Sequence, residues 1–213
     1  TRYIGDWSSD VCSSDLFSLI ATLLITVAGG LMSYVIVRRE TKMAGFLDSI
    51  LMVPYVVPGV VMAIGFLLTF NKAPMDLVGT GSIIVLILFI RRLPYGVRAT
   101  SAVLRQIKPS IEEAAVSLGA SPAKAFFKVT VPLMMPGIVA GAMMSFITAI
   151  NELSSTLLLY TAPTTTMPVR VYNAVLDGEF GIAAALSTIL LVSSGLCVYG
   201  VLRFSQSKEN AFV

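Results

Sequence analysis

The chain has 213 residues, 56% of them hydrophobic and only 13% charged, with a mean hydropathy of +0.86 and a net charge of +3. A soluble domain carries roughly 25% charged residues, so this composition excludes a soluble enzyme, a nucleic-acid binder and a disordered chain, and makes membrane lipid the expected solvent. The absence of histidine excludes Ser-His-Asp and Cys-His catalysis and most zinc sites, and the two cysteines, Cys12 and Cys197, make neither a redox motif nor a four-ligand metal site.

Residues 1–16, TRYIGDWSSDVCSSDL, differ in character from the rest of the chain. They lack the basic start, apolar middle and small-residue cleavage site of a signal peptide. They resemble translated adapter sequence found at the ends of metagenomic reading frames, and are set aside as a non-native leader; the alternative is a polar periplasmic leader. A foreign start implies a chain that originally began further upstream.

A helix crosses a bilayer in about 20 apolar residues. Residues 17–37 qualify without a single charge, and 49–70 qualify despite Pro54 and Pro58, which membrane helices tolerate when neighbours re-satisfy the freed carbonyls. A third span covers 81–97. Arg91 and Arg92 stand near the cytoplasmic end of its apolar run, where snorkelling to the headgroups accounts for them. A fourth covers 133–160 and a fifth 180–202, leaving 206–213 as a tail.

Between the third and fourth spans, residues 109–132 read PSIEEAAVSLGASPAKAFFKVTVP. Ser110 and Glu113 have the spacing of a capping box. Ala114, Ala115 and Leu118 favour a helix, Gly119 suits the left-handed position that ends one, and Ser121-Pro122 starts another. Pro132 marks the next break. The loop therefore reads as two short helices joined by a glycine turn.

Within the fourth span, the stretch from Pro136 to Ile150 is too short to cross unless it continues through Asn151 and Glu152 to Tyr160. Glu152 would then be an intramembrane carboxylate, facing a cavity or a partner, and Asn151, Glu152, Ser154, Ser155 and Thr156 would be candidates to line a path. In the other reading the helix ends at Ile150 and Glu152 is solvated. Gly137 and Gly141 give a small-xxx-small pattern for close helix crossing, and Met134, Met135, Met143 and Met144 read as adaptable packing. Beyond them, Thr164-Thr165-Thr166 and Pro168 lead into a short helix that ends at Gly178.

Of the 15 basic residues, all but Arg2, Lys72 and Arg170 fall in segments 38–50, 91–131 and 203–213, which lie on one side of a five-span chain. The positive-inside rule makes that side cytoplasmic, with the N-terminus outside and the C-terminus in the cytoplasm.

Glu113-Ala114-Ala115, then Gly119, then Val129, Val131 and Pro132 resemble the EAA motif of ABC-importer permeases, with valine where the family pattern has Ile and Leu. The segments LPYGVRATSAVLRQIKPSIEEAAVSLGAS and NELSSTLLLYTAPTTTMPVRVYNAVLDGEFGIAAALSTILL are similar to the ferric-iron branch of that family, most of all to the second of its two permease halves. The likeness covers roughly residues 17–205. It implies an all-α polytopic fold of the MetI-like type I permease class, in the bacterial inner membrane, with no catalytic residues and no cofactor of its own.

The same resemblance makes 109–132 a coupling loop, with Glu112, Glu113, Ala114, Ala115, Leu118, Gly119, Ala120 and Phe126 facing a cytoplasmic ATPase dimer that binds ATP and Mg. No P-loop sequence occurs in this chain. The other implied partners are a periplasmic or lipid-anchored solute-binding protein, which the 161–180 region would meet, and a second permease half from the same full-length chain or a homologous subunit. Ferric iron is the expected cargo; 2-aminoethylphosphonate, polyamines and sugar phosphates are the alternatives. An ion-coupled secondary transporter is the alternative of a different class; it would need an internal repeat, which the sequence lacks.

Overall fold

A computed structural model describes residues 6–39, 41–72 and 75–209. Residues 1–5 of the expected leader and 210–213 of the tail lie outside the described residues. The described chain is a bundle of helices, as expected. Its long helices are α1 (Asp6–Arg38), α2 (Lys42–Val56), α3 (Gly59–Phe70), α4 (Gly81–Leu104), α7 (Val131–Ile150) and α10 (Phe180–Glu209). Shorter ones are α5 (Ser110–Ser117), α6 (Pro122–Ala125), α8 (Thr156–Leu159) and α9 (Met167–Leu176). A two-residue pairing of β1 (Asn71–Lys72) with β2 (Met75–Asp76) closes the turn after α3.

Among the described residues, three stretches are long and apolar enough to span a bilayer: Leu16–Arg38, Pro122–Ile150 and Phe180–Gly200. The α2–α3 pair passes the same test as one broken span. Their outward faces carry Leu19, Leu23, Val27 and Leu31 on α1 and Leu191, Val192 and Leu196 on α10, all exposed. Apolar side chains turned outward along a whole helix suit hydrocarbon as the solvent, because a helix satisfies its own backbone there.

The centre of the bundle is α4, packed between α1 and α7. Contacts from Phe17 to Gly81 and from Gly29 to Gly96 show α1 running parallel to α4. Contacts from Gly137 to Ala99 and from Gly141 to Gly96 show α7 running antiparallel to it. Ser33 ties α1 to α4, its hydroxyl lying 2.9 Å from the Val97 carbonyl oxygen. Ile83, Ile84, Ile87 and Leu88 on α4 are buried with Ala21, Ala63, Ala149 and Leu159.

The second span is not continuous. It breaks at Val57–Pro58, and α2 and α3 meet there with a bend of 103°. Pro58 lacks an N–H and drives the preceding residue out of the helical region; Val57 is extended, at φ −69° and ψ 128°. Pro54 stays within α2.

The fourth span also departs from expectation at both ends. Pro132 does not break it: α6, a π-helical segment Phe126–Thr130 and α7 form one helix through Ile150. At the other end the helix does not run on to Tyr160. Asn151 donates to the Ile147 carbonyl (2.8 Å) and to Ser194 Oγ on α10 (2.9 Å). The Ser155 N–H, which would have continued the helix, donates instead to Glu152 Oε1 at 3.1 Å. Side chains of this type stop helices by competing for backbone groups.

Candidate functional site

Among the described residues, two places bring largely buried charged side chains together. The first lies where both helix breaks meet the middle of α4. Arg91 is ten residues into α4, about 15 Å from its start at 1.5 Å per residue. It and Arg92 are therefore not at the end of a span, and they do not snorkel. Both point inward, with side chains 13% and 14% exposed, onto Glu152, whose side chain is 3% exposed. Arg92 Nη2 bonds Glu152 Oε2, and Arg91 Nε lies 3.7 Å from the same oxygen.

Further contacts fix this cluster. Arg91 Nη1 donates to the Val57 carbonyl at the α2–α3 break, at 3.2 Å. The Arg92 guanidinium stacks 5.9 Å from the Tyr95 ring centre. Gly59 admits the crowding: a β-carbon there would stand 2.9 Å from Ser154 Cβ and 3.1 Å from Arg91 Nη1. A buried ion pair is offset by its desolvation, but removing one partner costs about 3–5 kcal/mol because the other charge stays buried.

Neither sequence reading of Glu152 therefore holds in full. The helix does end at Ile150, yet the carboxylate is buried and paired. Of the candidate path residues, Asn151 and Ser154 are exposed while Glu152, Ser155 and Thr156 are buried. Thr156 Oγ1 donates to the Glu152 carbonyl at 2.7 Å, which holds the turn closed. The sequence signal for this cluster was present: two arginines within one apolar run and one carboxylate after another form an intramembrane set of opposite charges. Among the described residues, no three His, Cys, Asp or Glu side chains come together as a metal site.

The second place is the loop 109–132. The expected capping box is absent. Pro109, at φ −57° and ψ −31°, already has helical geometry, so Ser110 lies within the helix and makes no capping bond. The C-terminus is as expected and well defined. Gly119 has φ +90°; its N–H donates to the Val116 carbonyl at 2.9 Å, and the Ala120 N–H donates to the Ala115 carbonyl at 3.1 Å. That pair of bonds is the Schellman closure, which favours glycine at the left-handed position. Ser121 then caps α6, accepting from the Lys124 N–H at 3.3 Å.

The two neighbouring glutamates differ in their surroundings. Glu112 turns inward: Arg38 Nε and Nη2 approach its Oε1 at 2.9 and 2.8 Å, and Tyr34 donates to Oε2 at 3.0 Å. Arg38 also donates to the Ile107 carbonyl. Phe126 packs edge-on against Tyr34 with ring centres 4.6 Å apart. Glu113 is exposed, as are Ala114, Leu118 and Gly119, while Ala115 and Ala120 are half-buried. Leu118 is 89% exposed at the tip of the turn. A cleft of about 380 Å³ opens beside it, lined by Tyr34, Glu112, Glu113, Val116, Ser117 and Pro122 among others. Sequence reasoning missed Tyr34 and Arg38, because they stand far along the chain from the Glu112 they hold.

The chain is similar to known proteins over most of its length. The chain is 35% identical over 188 residues to the ferric transport system permease protein FbpB of Actinobacillus pleuropneumoniae, covering 88% of this chain and 27% of that protein. It is 33% identical to a putative ferric transport system permease protein of Haemophilus influenzae, covering 79% and 26%. The chain thus spans about a quarter of the length of these two relatives. It is also 29% identical to the putative 2-aminoethylphosphonate transport system permease protein PhnV of Salmonella paratyphi A, covering 80% and 64%. In fold it is similar to a chain of the MetNI methionine ABC transporter, with a TM-score of 0.74 at 17% identity over 93% of this chain and 94% of that one. A bacterial alginate ABC transporter gives a TM-score of 0.71 at 15% identity, over 97% and 80%. The architecture is thus the MetI-like permease fold that the sequence led us to expect. The profile of the family described as binding-protein-dependent transport system inner membrane component matches residues 15–208, and the chain belongs to that family.

Proposed function

We propose that this chain is a membrane-spanning permease unit of a binding-protein-dependent ABC importer that moves ferric iron into the cytoplasm, with ATP hydrolysis supplied by a separate ATPase dimer. The observation that carries ferric iron is the 35% identity to a ferric permease across 88% of this chain. Cargo arrives on a periplasmic or lipid-anchored binding protein, and a second permease half completes the path.

In this reading the turn at Gly119 is the contact with the ATPase. An isolated leucine on a rigid, glycine-ended turn suits insertion into a partner's groove, and the small Ala114 and Gly119 let that partner approach the backbone. Glu113 supplies an outward charge, while Glu112, Tyr34 and Arg38 tie the loop to α1. Closure of the ATPase dimer would move this loop and rock the helices between inward-open and outward-open states. The distribution of basic residues supports a cytoplasmic loop and an external N-terminus. Asn151 and Ser154 are the exposed candidates for the path, with Glu152, Ser155 and Thr156 supporting them.

Two measurements test this. An ATPase subunit should co-purify with the protein, and the complex should hydrolyse ATP. The cognate binding protein, titrated with ferric ion and with 2-aminoethylphosphonate, should bind iron. Binding of the phosphonate alone would shift the assignment to the second cargo, which the similarity to PhnV favours.

A further inference from the structure

Glu152 offers one carboxylate to two guanidiniums, and the two are not equivalent. Arg92 is bonded to Oε2. Arg91 Nε is 3.7 Å from the same oxygen, and the Nε groups of both arginines are buried without a hydrogen-bond acceptor. The other carboxylate oxygen, Oε1, is held by the Ser155 N–H. The geometry is that of a pivot: Oε1 is fixed while Oε2 stands between two donors, engaged with one and short of the other.

We propose that Arg91 is a positioning residue of the transport cycle, and that Glu152, bonded to Arg92 in this conformation, passes to Arg91 in the alternate one. Closing 3.7 Å to the 2.7–2.9 Å of a charge-assisted hydrogen bond needs a shift of about 1 Å. Helix movements of about 1–2 Å are the usual scale of switching transitions. Adjacent residues on a helix point about 100° apart, yet both long side chains already converge on Oε2, so a small slide of α4 trades one arginine for the other without a large rotation.

The transfer never leaves the carboxylate unpaired in an apolar interior, where an unpaired charge is heavily penalised. The surroundings are built for such movement. Arg91 is bonded to Val57 at the 103° break between α2 and α3, and Glu152 lies in the break between α7 and α8. Interruptions of this kind absorb backbone rotation when packed elements shift. The carboxylate thus links the two breaks through α4, and each conformation has its own arginine.

This inference rests on the permease reading. Its test uses the assembled importer in lipid nanodiscs, with the two conformations read by distance measurements between spin labels on α2 and α7. Arg92→Gln should shift the population toward the alternate conformation and Arg91→Gln toward this one, each by about tenfold. Uptake should fall in both. Arg91→Lys should retain more uptake than Arg91→Gln, and in a Glu152→Gln background neither arginine variant should move the distances further. If the glutamine variants fail to assemble, the two lysine variants are compared in their place, with smaller shifts of opposite sign expected. Shifts in the same direction, or an Arg91→Gln importer with unchanged populations and uptake, would overturn the latch alone. A wild-type complex that neither hydrolyses ATP nor takes up cargo would overturn the permease reading and the latch with it.

Discussion

Gly96 on α4 and Gly141 on α7 meet backbone to backbone: a β-carbon added at Gly141 would lie 3.0 Å from Gly96 Cα and 3.1 Å from its carbonyl oxygen. On the other side of α4, a β-carbon at Gly96 would lie 2.7 Å from Ile25 Cγ2 on α1. Three helices therefore cross at one level with no side chain between α4 and α7 at this point. In lipid, where apolar burial does not drive helix association, such close contact is a main source of it. Gly141→Leu should destabilise the protein by about 1–3 kcal/mol through overpacking, read as a lower Tm in detergent. Gly195→Leu, where a β-carbon meets nothing within 4 Å, should change stability by less than about 0.5 kcal/mol.

The left-handed Gly119 makes a second prediction. The proline ring locks φ on the negative side and cannot adopt the +90° seen there. Gly119→Pro should leave the protein inserted in the membrane but separate ATP hydrolysis from uptake, measured as phosphate released per cargo imported. Normal uptake by this variant would rule out the coupling role of the loop.

The neighbouring glutamates give a third. Glu112→Gln loses a largely buried ion pair with Arg38, hydrogen-bonded through Nε, so it should lower Tm in the isolated protein. Glu113→Gln, exposed and without such a partner, should leave Tm unchanged and act only on ATPase binding, measured by co-purification.

Beside the start of α4, Thr161 and Thr164 cap a short 3-10 turn reciprocally, and Thr161 Oγ1 also donates to the Gly79 carbonyl at 3.2 Å. Loss of such a cap costs about 1 kcal/mol. Thr161→Val should therefore speed amide hydrogen exchange across 162–166 without altering exchange in α4.

Legibility in the sequence tracked the range of the physics involved. The apolar runs, the glycine turn at Gly119, the Ser121 cap and the close-packing pair Gly137 and Gly141 depend on a few neighbouring residues and were legible. The capping box failed because Pro109 was itself already helical, a competition that spacing alone does not reveal. The Glu152 cluster joins two helices distant in the chain, and its arginines looked terminal only because α4 was expected to stop at 97; the helix in fact runs to Leu104. The break at Val57 was hidden because membrane helices often carry proline unbroken, as α2 does at Pro54.

The π-helical segment Phe126–Thr130, closed by the Val131 N–H on the Phe126 carbonyl, holds one residue more than an α-helical turn would. It lies within an unbroken column, so no loop is available to absorb a change of length. Deleting one residue there would rewind the segment to an α-helix and leave the Gly119 turn near its present heading, because the wide turn already holds the extra residue; deleting a second would swing it by about 100° around the column. After the second deletion Leu118 would face a different compass direction while the spans kept their packing. The heading of that leucine is therefore stored as a count of residues with a tolerance of one, held in the wide turn.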